Sequence, residues 1–179
     1  MTTANQNPKS RRDANSIFES ALAAADPGRC VARFVSTEDT HVRLGDERLD
    51  LANISQIVVV GAGKATPAMA VSLEEILGDH ISAGTINTKY GHALPLSRIE
   101  TVECGHPIPD AAGVRGTERI RRYVSNLDEA TLVITLFSGG GSALMPAPID
   151  GVSLAEKQDT TKALLECGAT IDELNALRK

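Results

Sequence analysis

The chain has 179 residues, enough for one domain or one and a fraction, with shares of hydrophobic (42%) and charged (23%) residues ordinary for a globular fold in water. A net charge of −5, with no run of Lys and Arg longer than two, excludes a nucleic-acid surface. No apolar run reaches membrane length, the N-terminus lacks a signal-peptide pattern, and three scattered cysteines (Cys30, Cys104, Cys167) predict reduced thiols in a cytoplasmic protein.

Residues Met1 to Arg12 are polar and predict a flexible tail. From Asp13 to Ala25 a helix is expected, because Phe18, Ala21, Leu22 and Ala25 share one face before Asp26-Pro27-Gly28 stops it. A second short helix follows over Cys30–Val35. Thr37 to Asn53 is charged and weakly patterned, which predicts a loop with a short strand at His41–Leu44. Gln56–Val60 is the first clear strand, and it runs into Gly61-Ala62-Gly63-Lys64. The stripe Ala65, Met69, Leu73 and Leu77 then predicts a helix that Gly78 ends. Strands over Ala83–Thr88 and Ile99–Cys104 lead into Lys89-Tyr90-Gly91-His92 and Gly105-His106-Pro107-Ile108-Pro109-Asp110. The next helix reaches Leu127, with Ile120, Tyr123, Val124 and Leu127 on its core side.

The stretch Thr131–Pro146, TLVITLFSGGGSALMP, dominates the rest of the chain. Its β-branched first half predicts a strand buried on both faces. Ser138, Gly139, Gly140, Gly141 and Ser142 come next. Three glycines in a row are costly to order, so at the end of a strand they point to a ligand approaching bare backbone. Free amides there, followed by a helix start, form an anion site. Two capping boxes, Ser153…Glu156 and Thr170…Glu173, begin the last two helices, with Gly168 ending the first of them.

Strands alternating with helices give an α/β layered fold with a mostly parallel sheet flanked by helices. In such sheets ligands collect beyond the carboxyl ends of the strands. Those ends carry GAGK, TKYGH, GHPIPD and SGGGS, four polar glycine-bearing loops on one rim.

The GAGK turn fits neither familiar nucleotide motif. A Walker A loop needs glycine where Val58 stands and Ser or Thr where Ala65 stands. A dinucleotide fingerprint needs a small residue at Thr66 and an acidic residue near the end of the second strand, which instead reads Asn87-Thr88-Lys89. Lys64 still carries a signal. A cation at a helix N-terminus opposes the macrodipole by about 0.3–1 kcal/mol unless an anion sits beside it. Lys89, His92 and His106 are loop residues with weaker signals, and Asp110 is equally suited to capping the helix after it. No His, Cys and carboxylate grouping has metal-ligand spacing, and no Ser-His-Asp set follows from spacing.

On these loops the chain resembles the N-terminal part of the glycerate 2-kinase family, in VVVGAGKA (Val58–Ala65), TKYGHA (Thr88–Ala93), GHPIPDAAG (Gly105–Gly113), SGGGSAL (Ser138–Leu144) and KQDTTKALLECGATIDELNALRK (Lys157–Lys179). The resemblance covers residues 13–179. It implies a Rossmann-like N-terminal domain, a second domain missing from this chain, and a cleft between the two. It further implies transfer of the γ-phosphoryl group of ATP to the 2-hydroxyl of glycerate, with Mg²⁺, giving 2-phosphoglycerate. Lys64 matches the family's charge-stabilising lysine. Gly61, Gly63, Lys89, His106, Asp110, Ser138, Gly139, Gly140, Gly141, Ser142 and Arg178 are the expected substrate or phosphate contacts. The polar helix at Lys157–Lys162 becomes a cleft wall.

Family members are more than twice as long, so the isolated chain is expected to lack activity, and its open cleft face suggests self-association. Two other readings stand beside the kinase: an NAD(P)-dependent hydroxypyruvate reductase, with Lys89 meeting a 2′-phosphate, and a non-catalytic binding module.

Overall fold

The structure is a computed structural model that describes residues 8–178, with Pro8 and Arg178 as backbone only. The tail expected over residues 1–12 therefore lies partly outside the described residues, as does Lys179. Helix α1 (Pro8–Ala24) already runs at Pro8, five residues ahead of the expected start. Proline suits a first helical turn, and nothing in the residues after it breaks a helix. Its apolar residues Ile17, Phe18 and Leu22 are exposed. Helix α2 (Pro27–Phe34) starts where Asp26 accepts a hydrogen bond from the Arg29 amide at 2.8 Å.

The charged stretch expected to be mainly loop is instead a meander of three antiparallel strands, β1 (Val35–Glu38), β2 (His41–Leu44) and β3 (Glu47–Asp50). Only β2 was legible in the sequence. The flanking strands put most of their side chains in solvent, so their apolar alternation is faint.

Four parallel strands form the main sheet: β4 (Gln56–Ala62), β5 (Ile81–Lys89), β6 (Ile99–Cys104) and β7 (Thr131–Phe137), in the order β6-β5-β4-β7. Helix α3 (Thr66–Leu77) joins β4 to β5 and ends at Gly78, whose φ is +47°. Together with α2 and the meander it covers one face, burying Ile57, Val59, Leu73, Leu77, Ile81 and Ile86. Helix α4 (Ala111–Val124) covers the other face against Val58, Val60 and Ile120. Val124, expected on the core side, is exposed, and the helix stops there rather than at Leu127.

β7 departs from expectation. Its composition predicts burial on both faces, yet it is an edge strand paired with β4 alone, with Thr135 and Phe137 exposed. Apolar composition says that a strand is meant to be covered, not where in the sheet it lies. Beyond it come a one-turn helix α5 (Gly141–Leu144) and the helices α6 (Leu154–Glu166) and α7 (Ile171–Arg178). Both capping boxes form. Glu156 Oε2 accepts from the Ser153 amide at 2.7 Å, Glu173 Oε2 accepts from the Thr170 amide at 2.8 Å, and Gly168 takes φ of +73° between the helices.

Candidate functional site

Because all four main strands run the same way, their carboxyl ends share one rim, and the loops GAGK, TKYGH, GHPIPD and SGGGS meet there. The chain leaves β4 towards β5 on one side, while β7 lies on the other. The ends of β4 and β7 therefore mark the switch point, the place where layered α/β sheets collect ligands. Lys64 follows the one and the triple-glycine turn the other.

The two turns are tied directly. The Lys64 amide donates to the Gly139 carbonyl at 3.1 Å, and the Ala65 amide donates to Ser138 Oγ at 2.9 Å. The Gly63 amide donates to the Asn87 carbonyl at 3.0 Å, and Thr88 Oγ1 donates to the Gly63 carbonyl at 3.0 Å. The amides of Gly63, Lys64 and Ala65 are thus spent on the protein. What this turn presents outward is the exposed Lys64 side chain, whose Cε lies 4.0 Å from where a Cβ on Gly139 would stand.

The glycines divide by cause. A Cβ on Gly61 would run into the Leu136 carbonyl of β7, and one on Gly63 would strike Ser138. Close packing explains both. Gly140 needs its φ of +100°, and a Cβ there would stand 2.9 Å from the His106 ring. Gly139 and Gly141 are different: the nearest protein atoms lie 4.0 Å and 3.6 Å from their missing Cβ positions. No acceptor is seen among the described residues for the amides of Gly139, Gly140, Gly141 or Ser142. The helix that follows is only one turn long, so the free amides rather than an extended dipole give this turn its positive character.

His106 reaches the site by lying against Gly140. Asp110 holds that loop in place. Its carboxylate caps α4 by accepting from the Gly113 amide at 2.9 Å, and it accepts from the Tyr90 hydroxyl at 2.9 Å. Burial pushes its pKa up, but hydrogen bonds from Gly113, Gly105, Tyr90 and Ala112 outweigh this and leave it below the ordinary value. The bond to Asp110 in turn raises the Tyr90 phenol. Cys104 beneath the loop is buried, and burial followed by the charge of Asp110 pushes its thiol up to about 11.

Lys89 ends β5, where no contact with Lys64 or the glycine turn is seen. The His92 amide is held by Glu103, which also accepts from Gly91 and Ala93 and draws the loop towards β6. Arg178 lies in α7 and is described as backbone only. The polar helix α6 does touch the site loops, since Gln158 Nε2 donates to the Pro109 carbonyl at 2.7 Å. Sequence reasoning missed Asn87. Fully buried at the end of β5, it donates to Leu144 O at 2.8 Å and Gly113 O at 3.4 Å, fastening α5 and α4 to the sheet. Its signal was a lone amide in an apolar strand just before a loop. Among the described residues no three His, Cys, Asp or Glu side chains gather as metal ligands.

Fold and site together define an α/β domain in which an exposed lysine and a bare glycine turn meet at the switch point of a parallel sheet. The chain belongs to the family described as "Domain of unknown function (DUF4147)", whose model matches residues 13–179. It is 43% identical over 134 residues to the "D-glycerate 2-kinase" of Thermotoga maritima, covering 74% of this chain and 32% of that one. A "Putative hydroxypyruvate reductase" of Agrobacterium vitis is 47% identical over 126 residues, covering 70% of this chain and 33% of that one. The crystal structure of glycerate kinase from Thermotoga maritima superposes with a TM-score of 0.75 at 37% identity, covering 96% of this chain and 39% of that one. The chain spans about a third of the length of the curated relatives it matches.

Proposed function

We propose that this chain is the Rossmann-like, phosphate-gripping part of an ATP-dependent glycerate 2-kinase. In that reaction the γ-phosphoryl group of ATP passes to the 2-hydroxyl of glycerate, ADP leaves, and the hydroxyl proton is lost to a base. The observation that carries this reading is the meeting of the Lys64 side chain with the bare Gly139–Ser142 turn. Phosphoryl transfer is catalysed chiefly by positioning and by neutralising oxyanion charge. An ammonium group facing unpaired amides supplies both. Relatives named glycerate 2-kinase support the choice of substrate.

Within this reading Lys64 neutralises phosphoryl oxygens, and the amides of Gly139, Gly140, Gly141 and Ser142 orient them. His106 backs the turn, while Asp110 and Tyr90 set the loop that carries it. Gly61, Gly63 and Ser138 shape the site around them. Lys89 and Arg178 are assigned to the outer parts of the substrates. ATP fits this donor set, and Mg²⁺ would be carried chiefly by the ATP phosphates. Asp110 is engaged at both oxygens and Glu103 at Oε1, so no metal-borne step is assigned to these residues.

Calorimetric titration of the chain with ATP tests the proposal. Binding is expected, weakened about tenfold by Lys64→Ala, the loss typical of one charge-assisted hydrogen bond. The relative named as a hydroxypyruvate reductase favours the second reading. NADPH binding, with its oxidation by hydroxypyruvate, would establish that one instead. Silence towards both nucleotides in the wild-type chain would leave a non-catalytic module.

A further inference from the structure

Asn87 is an odd member of the core. It is fully buried near the end of β5, and its Oδ1 meets no hydrogen-bond donor among the described residues. That oxygen lies against α4 where Gly116 leaves the room, since a Cβ on Gly116 would run into it. A buried acceptor left unpaired costs stability, and leucine, with the same branching, would avoid that cost. The other end of the amide does something that leucine cannot. Nδ2 donates to the Leu144 carbonyl at 2.8 Å and to the Gly113 carbonyl at 3.4 Å. Neither carbonyl depends on it for a partner. Leu144 O also accepts from Cys104 Sγ at 3.4 Å, and Gly113 O accepts from Thr117 Oγ1 at 2.8 Å. Stability alone therefore does not account for Asn87.

What it grips does. Leu144 ends α5, a single turn in which the amides of Ala143, Leu144 and Met145 close on the Gly140 and Gly141 carbonyls. So short a helix has little hold on its own shape. Its place is set from outside, and with it the amides of Gly139, Gly140, Gly141 and Ser142 that lead into it. At the entry to this turn, Gly139 O accepts from the Lys64 amide and Ser138 Oγ from the Ala65 amide. At the exit, Leu144 packs with Ala62 and Cys104, but apolar packing has no direction. The Asn87 bond supplies one.

We infer that Asn87 is the positioning residue of the glycine turn: through Leu144 it fixes the direction in which these four amides point. Its effect on a ligand rests on the phosphate reading above, whereas its effect on the turn does not.

NMR of the 179-residue chain tests this, because the amide signals of Gly139, Gly140 and Gly141 report on the turn directly. In Asn87→Leu those signals should shift and their order parameters fall, while the circular dichroism spectrum and the urea midpoint stay at wild-type values. Thr85→Val is the control. Thr85 is equally buried, its Oγ1 also lacks a partner, and it makes no hydrogen bond to α5, so the glycine signals should stay in place. Asn87→Asp has the shape of the wild type but sets an acceptor against Leu144 O. It should loosen the turn as the leucine variant does, and it carries the test where that variant fails to fold. Glycine signals unmoved in a folded Asn87 variant, or moved as far by Thr85→Val, overturn the inference. Changes spread evenly over the amide spectrum, or loss of fold in both Asn87 variants, make Asn87 a plain core residue and overturn it too. Titration with ATP separates the two readings. An affinity about tenfold lower in Asn87→Leu, the size of one lost hydrogen bond, supports both. A turn that loosens while ATP binding is unchanged, or absent even in the wild type, supports the placement by Asn87 and removes the phosphate reading.

Discussion

Asp110 stands where a loop ends and a helix begins, and its carboxylate serves both. Because the folded state holds this group below its ordinary pKa, folding releases protons there, and the gain in stability is complete above the ordinary value of 3.8. It is lost as pH falls through the depressed folded value. Asp110→Asn keeps a competent N-cap but cannot titrate. Urea unfolding followed across the acid range should show wild-type stability falling more steeply than that of D110N. The difference between the two curves isolates Asp110 from the other lowered carboxylates, Asp128, Glu156 and Glu173. Parallel curves would mean that the charge on Asp110 contributes nothing to holding the loop. At this scale the sequence showed that Asp110 suits a cap, since aspartate before a helix is a local signal. The partner Tyr90 lies twenty positions away in another loop, and no local pattern reports it.

At the scale of elements, β4 and β7 lie close enough that Gly61 has no room for a methyl group. Gly61→Ala should cost about 1–3 kcal/mol in denaturant unfolding, as overpacking against backbone does. Gly139→Ala, facing open space at an ordinary φ, should leave stability within about 0.5 kcal/mol of wild type. If the site grips phosphate, Gly139→Ala should nevertheless weaken ATP binding, because the methyl group enters the ligand's path. The bounds of β6 were readable ahead of Gly105, and β7 showed itself as an apolar run ahead of the three glycines. The meander was not legible, because strands with most side chains in water leave only a faint period of two. Nor could an edge strand be told from a central one. Pairing partners are chosen by the whole sheet, and TLVITLF suits either place.

Across the whole molecule, the convergence of four loops was legible because parallel connections leave no alternative: every strand that returns the same way delivers its loop to the same rim. How each loop spends its amides was not legible, since those partners come from other strands. On the proposed function, a chain covering about a third of its relatives supplies only part of the reaction site. An assay coupling ADP release to glycerate is accordingly expected to show no turnover above background with the 179-residue chain, even where ATP binding is measurable. Robust 2-phosphoglycerate formation would mean that this site alone assembles both substrates.

The GAGK turn, with its own amides inward, has given up any means of reading outline. What it contributes is a flexible point charge that responds to how negative a visitor is. On the proposed function, discrimination by form is left to the bare turn beside it. A guest with ample charge but the wrong contour would linger loosely at the first and find no seat in the second.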